Sequence, residues 1–443
     1  MILLNPVVIS VIVMCALCLI KFNVLLSILV AAVVGGVAAG MPIYQAGAEN
    51  NIIDVLISGM GGNSATALSY ILLGAFAYGL ANSGLGAILS KKLSKVLSGR
   101  KFVMIFAIAI ISCFSQNLVP VHIAFIPILI PPLLPLMNKL KIDRRAMACA
   151  LTFGLKAPYV AIPVGFGLIF HQILVDNISQ FGMTVTIADT AGVMWIGGLS
   201  MLVGLVLVVF LLYGRDRNYE DIPVPGQDED AMEKEVSMTK EAWGALIACV
   251  VTAVVSILTT SLPYAALAGL FTMVITGCIK WKDIDEVMDG GVNMMGFIAF
   301  VMLVAAGYGT VLRSSGAVEE LVTMAAGYMQ GAKAMAAFVM LLIGLLITMG
   351  IGTSFGTIPI IAAIYVPLCI ELGFSPASTI LLIGVAAALG DAGSPASDST
   401  LGPTSGLNVD GQHDHIWDTC VPTFIAFDIP LIIGGVIGAV MLG

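Results

Sequence analysis

The stretch Pro120-Val121-His122-Ile123-Ala124-Phe125-Ile126-Pro127-Ile128, continued by Pro135-Leu136 and Leu140, has a counterpart 232 residues later. There Gly352-Thr353-Ser354 leads into Ile358-Pro359-Ile360, Pro367-Leu368 and Leu372. The same offset carries Asn82-Ser83-Gly84 onto Ser314-Ser315-Gly316, Gly99 and Lys101 onto Gly331 and Lys333, and Pro163 onto Pro395. Prolines held in register over about 80 gap-free residues mark an internal repeat, and a repeat decides the architecture before any single motif does. Tyr78-Gly79 matches Tyr308-Gly309 after a two-residue gap, which extends the likeness upstream.

Composition says what is being repeated. Of 443 residues 59% are apolar and 10% charged, with a mean hydropathy of +1.05, against roughly 25% charged in soluble domains. At about 20 apolar residues per membrane span, the chain is a polytopic all-α membrane protein with no stretch left for a soluble domain. A nucleic-acid binder, a secreted disulfide scaffold and an anchored soluble enzyme are excluded. The net charge of −8 arises largely in short solvated segments such as Gln227-Asp228-Glu229-Asp230. All eight cysteines lie in or beside apolar runs, where thiols act as small hydrophobes. Cys15 and Cys18 have redox spacing but no polar neighbours. Met1 to Asn5 carries no basic region, so the first span is expected to be retained.

Each half reads alike: two spans (6–20 and 24–41; 243–260 and 263–279), then a third (64–82; 292–312). A connector follows, and in the first half Ala87 to Ser98 has the period of a helix lying in the interface. Next comes an apolar run broken near its middle (102–137; 334–372), long enough for two half-helices and read as a re-entrant hairpin. An interrupted span (146–175; 376–404) and a final span (190–213; 418–442) complete the half. The organisation is a first repeat 1–213, a charged linker 214–241 and a second repeat 242–443. Five full spans per half force the halves to be inverted. With the first connector in the cytoplasm, 16 of the 19 lysines and arginines fall inside, Arg313 and Lys333 outside, and Lys156 within the membrane, as the positive-inside rule requires. Both termini would then be extracellular or periplasmic, with the linker Gly214 to Glu241 cytoplasmic.

Inverted repeats with discontinuous helices characterise secondary transporters, because a break near the midplane exposes backbone groups that can ligate an ion or solute. Four breaks are expected: Ser115 to His122, Ala157 to Pro163, Gly350 to Thr357 and Gly390 to Thr400. The last, Gly390-Asp391-Ala392-Gly393-Ser394-Pro395-Ala396-Ser397-Asp398-Ser399-Thr400, is the richest in oxygen ligands. Ser115, Gln116, Asp391, Ser394, Ser397, Asp398, Ser399 and Thr400 form the expected coupling-ion set, for Na+ or a proton. Asn117, His122, Lys156, Thr353, Ser354 and Thr357 form the expected substrate set. Lys156 could pair with Asp391 or Asp398, bind a substrate carboxylate, or stand in for a cation; His122 could serve proton coupling. Asp410-Gly411-Gln412-His413-Asp414-His415 contains metal-ligand types but reads as a capping or gating loop. Gly35-Gly36 and Gly59 to Gly62 let helices approach closely. No Walker-type phosphate loop occurs. No cofactor and no metal other than Na+ are expected.

The segment Gly390 to Thr400, continuing through Leu401-Gly402-Pro403-Thr404-Ser405-Gly406-Leu407-Asn408 to His413-Asp414-His415-Ile416-Trp417-Asp418-Thr419, resembles NhaC-type Na+/H+ antiporter-family proteins, as does Pro163-Val164-Gly165-Phe166-Gly167. The closer similarity is to the YuiF-type branch, regarded as candidate amino-acid, particularly histidine, transporters. The resemblance implies the ion transporter superfamily fold, with a dimerising scaffold and a transport part that moves as an elevator in the bacterial inner membrane. Two functions stay open: symport of a small polar solute, most simply an amino acid, and Na+/H+ antiport at intramembrane carboxylates. Hydroxyl-rich hairpin tips and Lys156 favour the organic solute, and a channel is a weaker third reading because near-symmetric halves suit alternating access.

Overall fold

The structure, a computed structural model, describes residues 4–20, 22–44, 51–85, 88, 100–117, 126, 130–220, 222, 238–259, 261–318, 320–321, 332–351, 353–395 and 397–443. Among them every regular element is helical. In chain order these are α1 (Pro6–Leu19), α2 (Val24–Ala38), α3 (Ile52–Met60), α4 (Ser64–Asn82), α5 (Lys101–Asn117), α6 (Leu134–Lys139), α7 (Arg144–Ala161), α8 (Phe166–Gln180) and α9 (Ile187–Leu212). The second half adds α10 (Lys240–Thr259), α11 (Leu262–Ile275), α12 (Ile284–Ser314), α13 (Lys333–Ile351), α14 (Ser354–Glu371), α15 (Pro376–Ala388), α16 (Asp398–Leu407) and α17 (His415–Leu442). The connector 87–98, apart from Ile88, and His122 lie outside the described residues, as does most of the linker.

The 232-residue offset reappears as backbone geometry. After α6 the amides of Lys141 and Ile142 bond the carbonyls of Asn138 and Met137. After α14 those of Gly373 and Phe374 bond Ile370 and Cys369, so both ends close in the same Schellman pattern. Lys141 and Gly373 share a positive φ, 50° and 69°. Above each turn a lysine donates to that residue's carbonyl: Lys101 Nζ to Lys141 O at 3.2 Å, and Lys333 Nζ to Gly373 O at 2.8 Å. The Asn82-Ser83-Gly84 and Ser314-Ser315-Gly316 turns match too, with Ser83 and Ser315 hydroxyls donating to Leu80 and Leu312 carbonyls at 2.6 Å each.

Burial sorts the helices. Fifteen of the 18 residues of α7 and of α14, and 11 of the 13 of α15, are buried, which is the all-round burial expected of helices at the centre of a bundle. The membrane-length helices α9 and α17 instead expose Leu202, Phe210, Ile433, Ile437 and similar side chains. The long helix α12 packs against α2, α3, α4 and α14, and α10 and α11 pack with α4 around Phe76 and Met273.

Several boundaries differ from expectation. Four described helices are long and apolar enough to cross a membrane, and α7 with α8, bent by 47°, makes a fifth; the other apolar helices have 10–17 residues within the apolar limits. The span expected over 292–312 begins eight residues earlier because Asp285, Glu286 and Asp289 continue the helix where polarity hid it. α7 runs through Pro158 to Ala161, so the break expected over 157–163 falls at Ile162–Gly165. Proline removes one amide donor without ending a helix whose flanks are packed. The second hairpin breaks only around Thr353, in extended conformation, and α14 continues through Pro359 and Pro367. The short helix α3 has no counterpart in the reading of spans.

Candidate functional site

Three chain breaks converge on one buried ion pair. Lys156 and Tyr159, three residues apart on α7 and therefore on one face, sit just before the break at 162–165. Ser354 opens α14, where unpaired amides and the positive end of the helix dipole favour an anion. Asp391 lies between α15 and α16 and supplies that anion. Its Oδ2 pairs with Lys156 Nζ and accepts hydrogen bonds from the Ser354 hydroxyl at 2.6 Å, the Ser354 amide at 3.1 Å and the Tyr159 hydroxyl at 3.3 Å. Its Oδ1 accepts from Ser397 Oγ. Lys156 Nζ also donates to Ser354 Oγ at 3.3 Å and lies 5.7 Å from the Tyr159 ring centre.

The surrounding loop is tied down through hydroxyls. Ser399 Oγ donates to Asp391 O at 2.9 Å, and Thr400 Oγ1 donates to Ser394 O and Ser397 O at 2.5 and 2.9 Å. Ser394 Oγ reaches Met349 O on α13 at 3.3 Å, while Thr152 Oγ1 on α7 donates to Ser399 O at 2.7 Å. Thr357 Oγ1 donates to Thr353 O at 2.9 Å. An aromatic group seals the pair: Phe355, next to Ser354, has the rings of Tyr70, Tyr159, Phe166 and Phe170 at 5.2 to 6.0 Å. Excluding water there strengthens every charge interaction inside.

The structure therefore brings together Lys156, Ser354, Asp391, Ser397 and Ser399, with Ser394, Thr353, Thr357 and Thr400 in the supporting shell. Of the two carboxylates offered to Lys156, Asp391 takes it; Asp398 stands exposed in the first turn of α16. Ser115, Gln116 and Asn117 belong to the end of α5, and their side chains, like all of His122, lie outside the described set. The sequence reading missed Tyr159, which looked like an ordinary span aromatic, and Asp428. The latter is fully buried at the end of a π-helical turn of α17, and its Oδ1 accepts the Gly390 amide at 3.1 Å. Its signal was available: the one acid beyond Asp418 in the apolar run 418–442.

A second polar cluster closes the Arg144 end of α7. Arg144, counted from sequence as a loop charge, is buried and holds both oxygens of Asp410 at 2.6 Å. It also donates to Leu407 O at 2.9 Å and lies 4.3 Å from the Tyr219 ring centre. Burial opposes ionisation of Asp410, but the Arg144 guanidinium outweighs it and holds the carboxyl below its usual range. His413 bonds Thr419 Oγ1 at 2.7 Å, and burial pushes it down to about 4. Asp414 caps the start of α17 through the Trp417 amide at 2.7 Å. Among the described residues no three of His, Cys, Asp and Glu are grouped to hold a metal ion.

Residues 150–438 match the model of the Na+/H+ antiporter family, and residues 5–97 match a second Na+-H+ antiporter family model. An uncharacterized membrane protein of Vibrio parahaemolyticus is 46% identical over 99% of this chain and its own full length. YuiF of Bacillus subtilis, named as a candidate amino acid transporter, is 47% identical over 88% of this chain and 90% of its own. Among solved structures, Neisseria gonorrhoeae MtrF, described as one of a class of antimetabolite efflux pumps, superposes with a TM-score of 0.64 at 15% identity over 99% of this chain and 96% of its own. The Alcanivorax borkumensis YdaH transporter superposes with a TM-score of 0.61 at 14% identity over 98% and 97%. At those identities the likeness is one of fold.

Proposed function

The chain belongs to the Na+/H+ antiporter family, NhaC type, in its YuiF branch, and on that premise we propose that it carries a small polar solute, an amino acid, coupled to Na+ or H+. The protein is a multi-pass membrane transporter, and its chemistry is binding and release. The observation that carries the proposal is the buried Lys156–Asp391 pair at the meeting of three helix breaks. A zwitterionic amino acid presents a carboxylate and an ammonium, and this site holds one group of each opposite sign. Substrate entry can exchange the internal pair for two new ones without leaving a net charge in the membrane, where a bare charge is costly.

In this reading the two halves are inverted repeats of five spans, α13 and α14 form a hairpin whose Thr353-Ser354 tip contacts the solute, and the α7, α14, α15 and α16 group moves as an elevator against a dimeric scaffold. The protein sits in the bacterial inner membrane with both termini outside. The name of YuiF supports the amino-acid class. Na+/H+ antiport is the second reading, favoured by the presence of two buried carboxylates, Asp391 and Asp428, beside a single lysine.

Uptake of labelled amino acids into proteoliposomes separates the two, with an inward Na+ gradient, a pH gradient or neither. Symport predicts gradient-dependent uptake that falls at least tenfold in Asp391→Asn and less than threefold in the exposed Asp398→Asn. Na+-driven proton movement without uptake of any amino acid would overturn the solute reading.

A further inference from the structure

Asp428 is a buried acid that the site described above leaves unused. Its two oxygens are treated unequally: Oδ1 accepts the Gly390 amide at 3.1 Å, while Oδ2 has no hydrogen-bond partner although the residue is fully buried. Asp391, the neighbour of Gly390 in the chain, is met instead by Lys156, Tyr159, Ser397 and both polar groups of Ser354. The two carboxylates and one lysine act on one another, Lys156 and Asp391 being the charged groups that face Asp428. One ammonium compensates one carboxylate. The second, with a single neutral donor, would be a bare anion inside a membrane protein, and a buried ion costs far more than a neutral polar group lacking one partner.

The backbone around Asp428 is arranged for this placement. It ends the π-helical turn Phe424–Asp428 of α17, and π turns inside α-helices recur at functional positions. The turn fits because Gly204 of α9 lacks a Cβ, which would stand 1.8 Å from Ala426 O. Gly393 is also close on the other side, since a Cβ there would lie 3.1 Å from Asp428 Oδ2 and 2.7 Å from Phe424 Cβ.

We infer that Asp428 is a proton-binding site, carrying its proton on Oδ2 while Lys156 neutralises Asp391. The inference rests on the reading of the chain as an ion-coupled carrier and names the group that holds the coupling proton. When the site opens to water, the Oδ2–H bond breaks, its electron pair stays on the oxygen and the proton leaves as hydronium. The new carboxylate is balanced by one monovalent cation, so one proton leaves for each cation taken up. Tyr70, whose hydroxyl also lacks a partner, has no such role because a phenol stays neutral across the working pH range.

The test is infrared titration of the purified full-length protein between pH 5 and 9, in choline chloride and again in NaCl. The wild-type minus Asp428→Asn difference spectrum should contain the carbonyl stretch of one un-ionised carboxyl per protomer. The band should persist in Lys156→Gln, where no ammonium is left to balance a second carboxylate, and weaken in the wild type as pH rises or Na+ is added. Asparagine keeps an acceptor for the Gly390 amide. If that variant does not fold, Asp428→Glu keeps the carboxyl and should shift the band. A difference spectrum without the band, or a band unmoved by both substitutions, overturns the inference. Absent amino-acid uptake with the band present would overturn the solute reading alone; uptake with the band missing would overturn the proton site alone.

Discussion

Removing either partner of the Lys156–Asp391 pair should destabilise the protein with opposite pH dependence. Both side chains are almost wholly buried, at 1% and 9% exposure, so the charge left behind has no access to water. Its cost has a ceiling, because the orphaned group can neutralise instead. At pH 7 that takes about 4.6 kcal/mol for an ordinary lysine and about 4.2 kcal/mol for an ordinary aspartate.

The remaining partners then set the order. In Lys156→Gln, Asp391 keeps the Ser354 amide and hydroxyl, Tyr159 and Ser397, and the loss should be about half the ceiling. In Asp391→Asn, Lys156 keeps Ser354 Oγ at 3.3 Å and gains only an amide oxygen, and the loss should be about 3 to 4 kcal/mol, the range for breaking a buried pair. A folded Asp391→Asn protein sheds one proton of the Lys156–Asp428 group that the wild type keeps, so relative to wild type its stability should rise by up to about 1.4 kcal/mol per pH unit. A folded Lys156→Gln protein that protonates Asp391 should instead lose stability relative to wild type as pH rises. With Asp428 protonated in both, the double variant should keep the pH slope of wild type and lie within about 2 kcal/mol of it, a coupling of about 3 kcal/mol. Unfolding of the four proteins in detergent at pH 6, 7.5 and 9 gives all of these values. Parallel pH slopes for the two single variants, or additive losses in the double, would refute the reasoning.

Inversion of the halves predicts that, in a cysteine-free background, single cysteines at Ser94 and Asn138 react with impermeant thiol reagents from the cytoplasm and those at Met329 and Gly373 from outside. Same-side labelling of matching positions would eliminate it. His413, with Asp418, Arg144, Arg217 and Asp143 acting on it, is held by burial at about 4. The unfolded chain therefore takes up that proton first, near pH 6.5. The stability of the 408–419 region should be complete above that pH and fall by up to about 3 kcal/mol as pH drops to 4. Hydrogen exchange of the loop at pH 7, 6 and 5 should show progressive opening that His413→Gln abolishes.

Periodicity and composition by themselves determined that the chain is a helical membrane protein, that its halves repeat at an offset of 232, and where most helices begin. Apolar runs have to be buried in lipid or protein, and the Lys141 and Gly373 turns show that equal local sequence closes helices in the same way. The polar segment 390–400 was also legible as a break in an apolar run and a candidate site, since hydroxyls and acids clustered there need a reason. Local sequence could not say which acid meets Lys156. Asp391 and Asp398 are equivalent as residue types, and only the packing of α7, α14 and the 389–397 break buries one against the lysine and leaves the other exposed. Pro158 reads as a break, yet packing carries the helix past it to Ala161. Asp428 acquires its meaning only when α17 is laid against Gly390, 38 residues earlier in the chain. Helix type and span follow from interactions within a few residues, whereas the pairing of buried charges depends on which helices share an interior, and that is settled by tertiary packing.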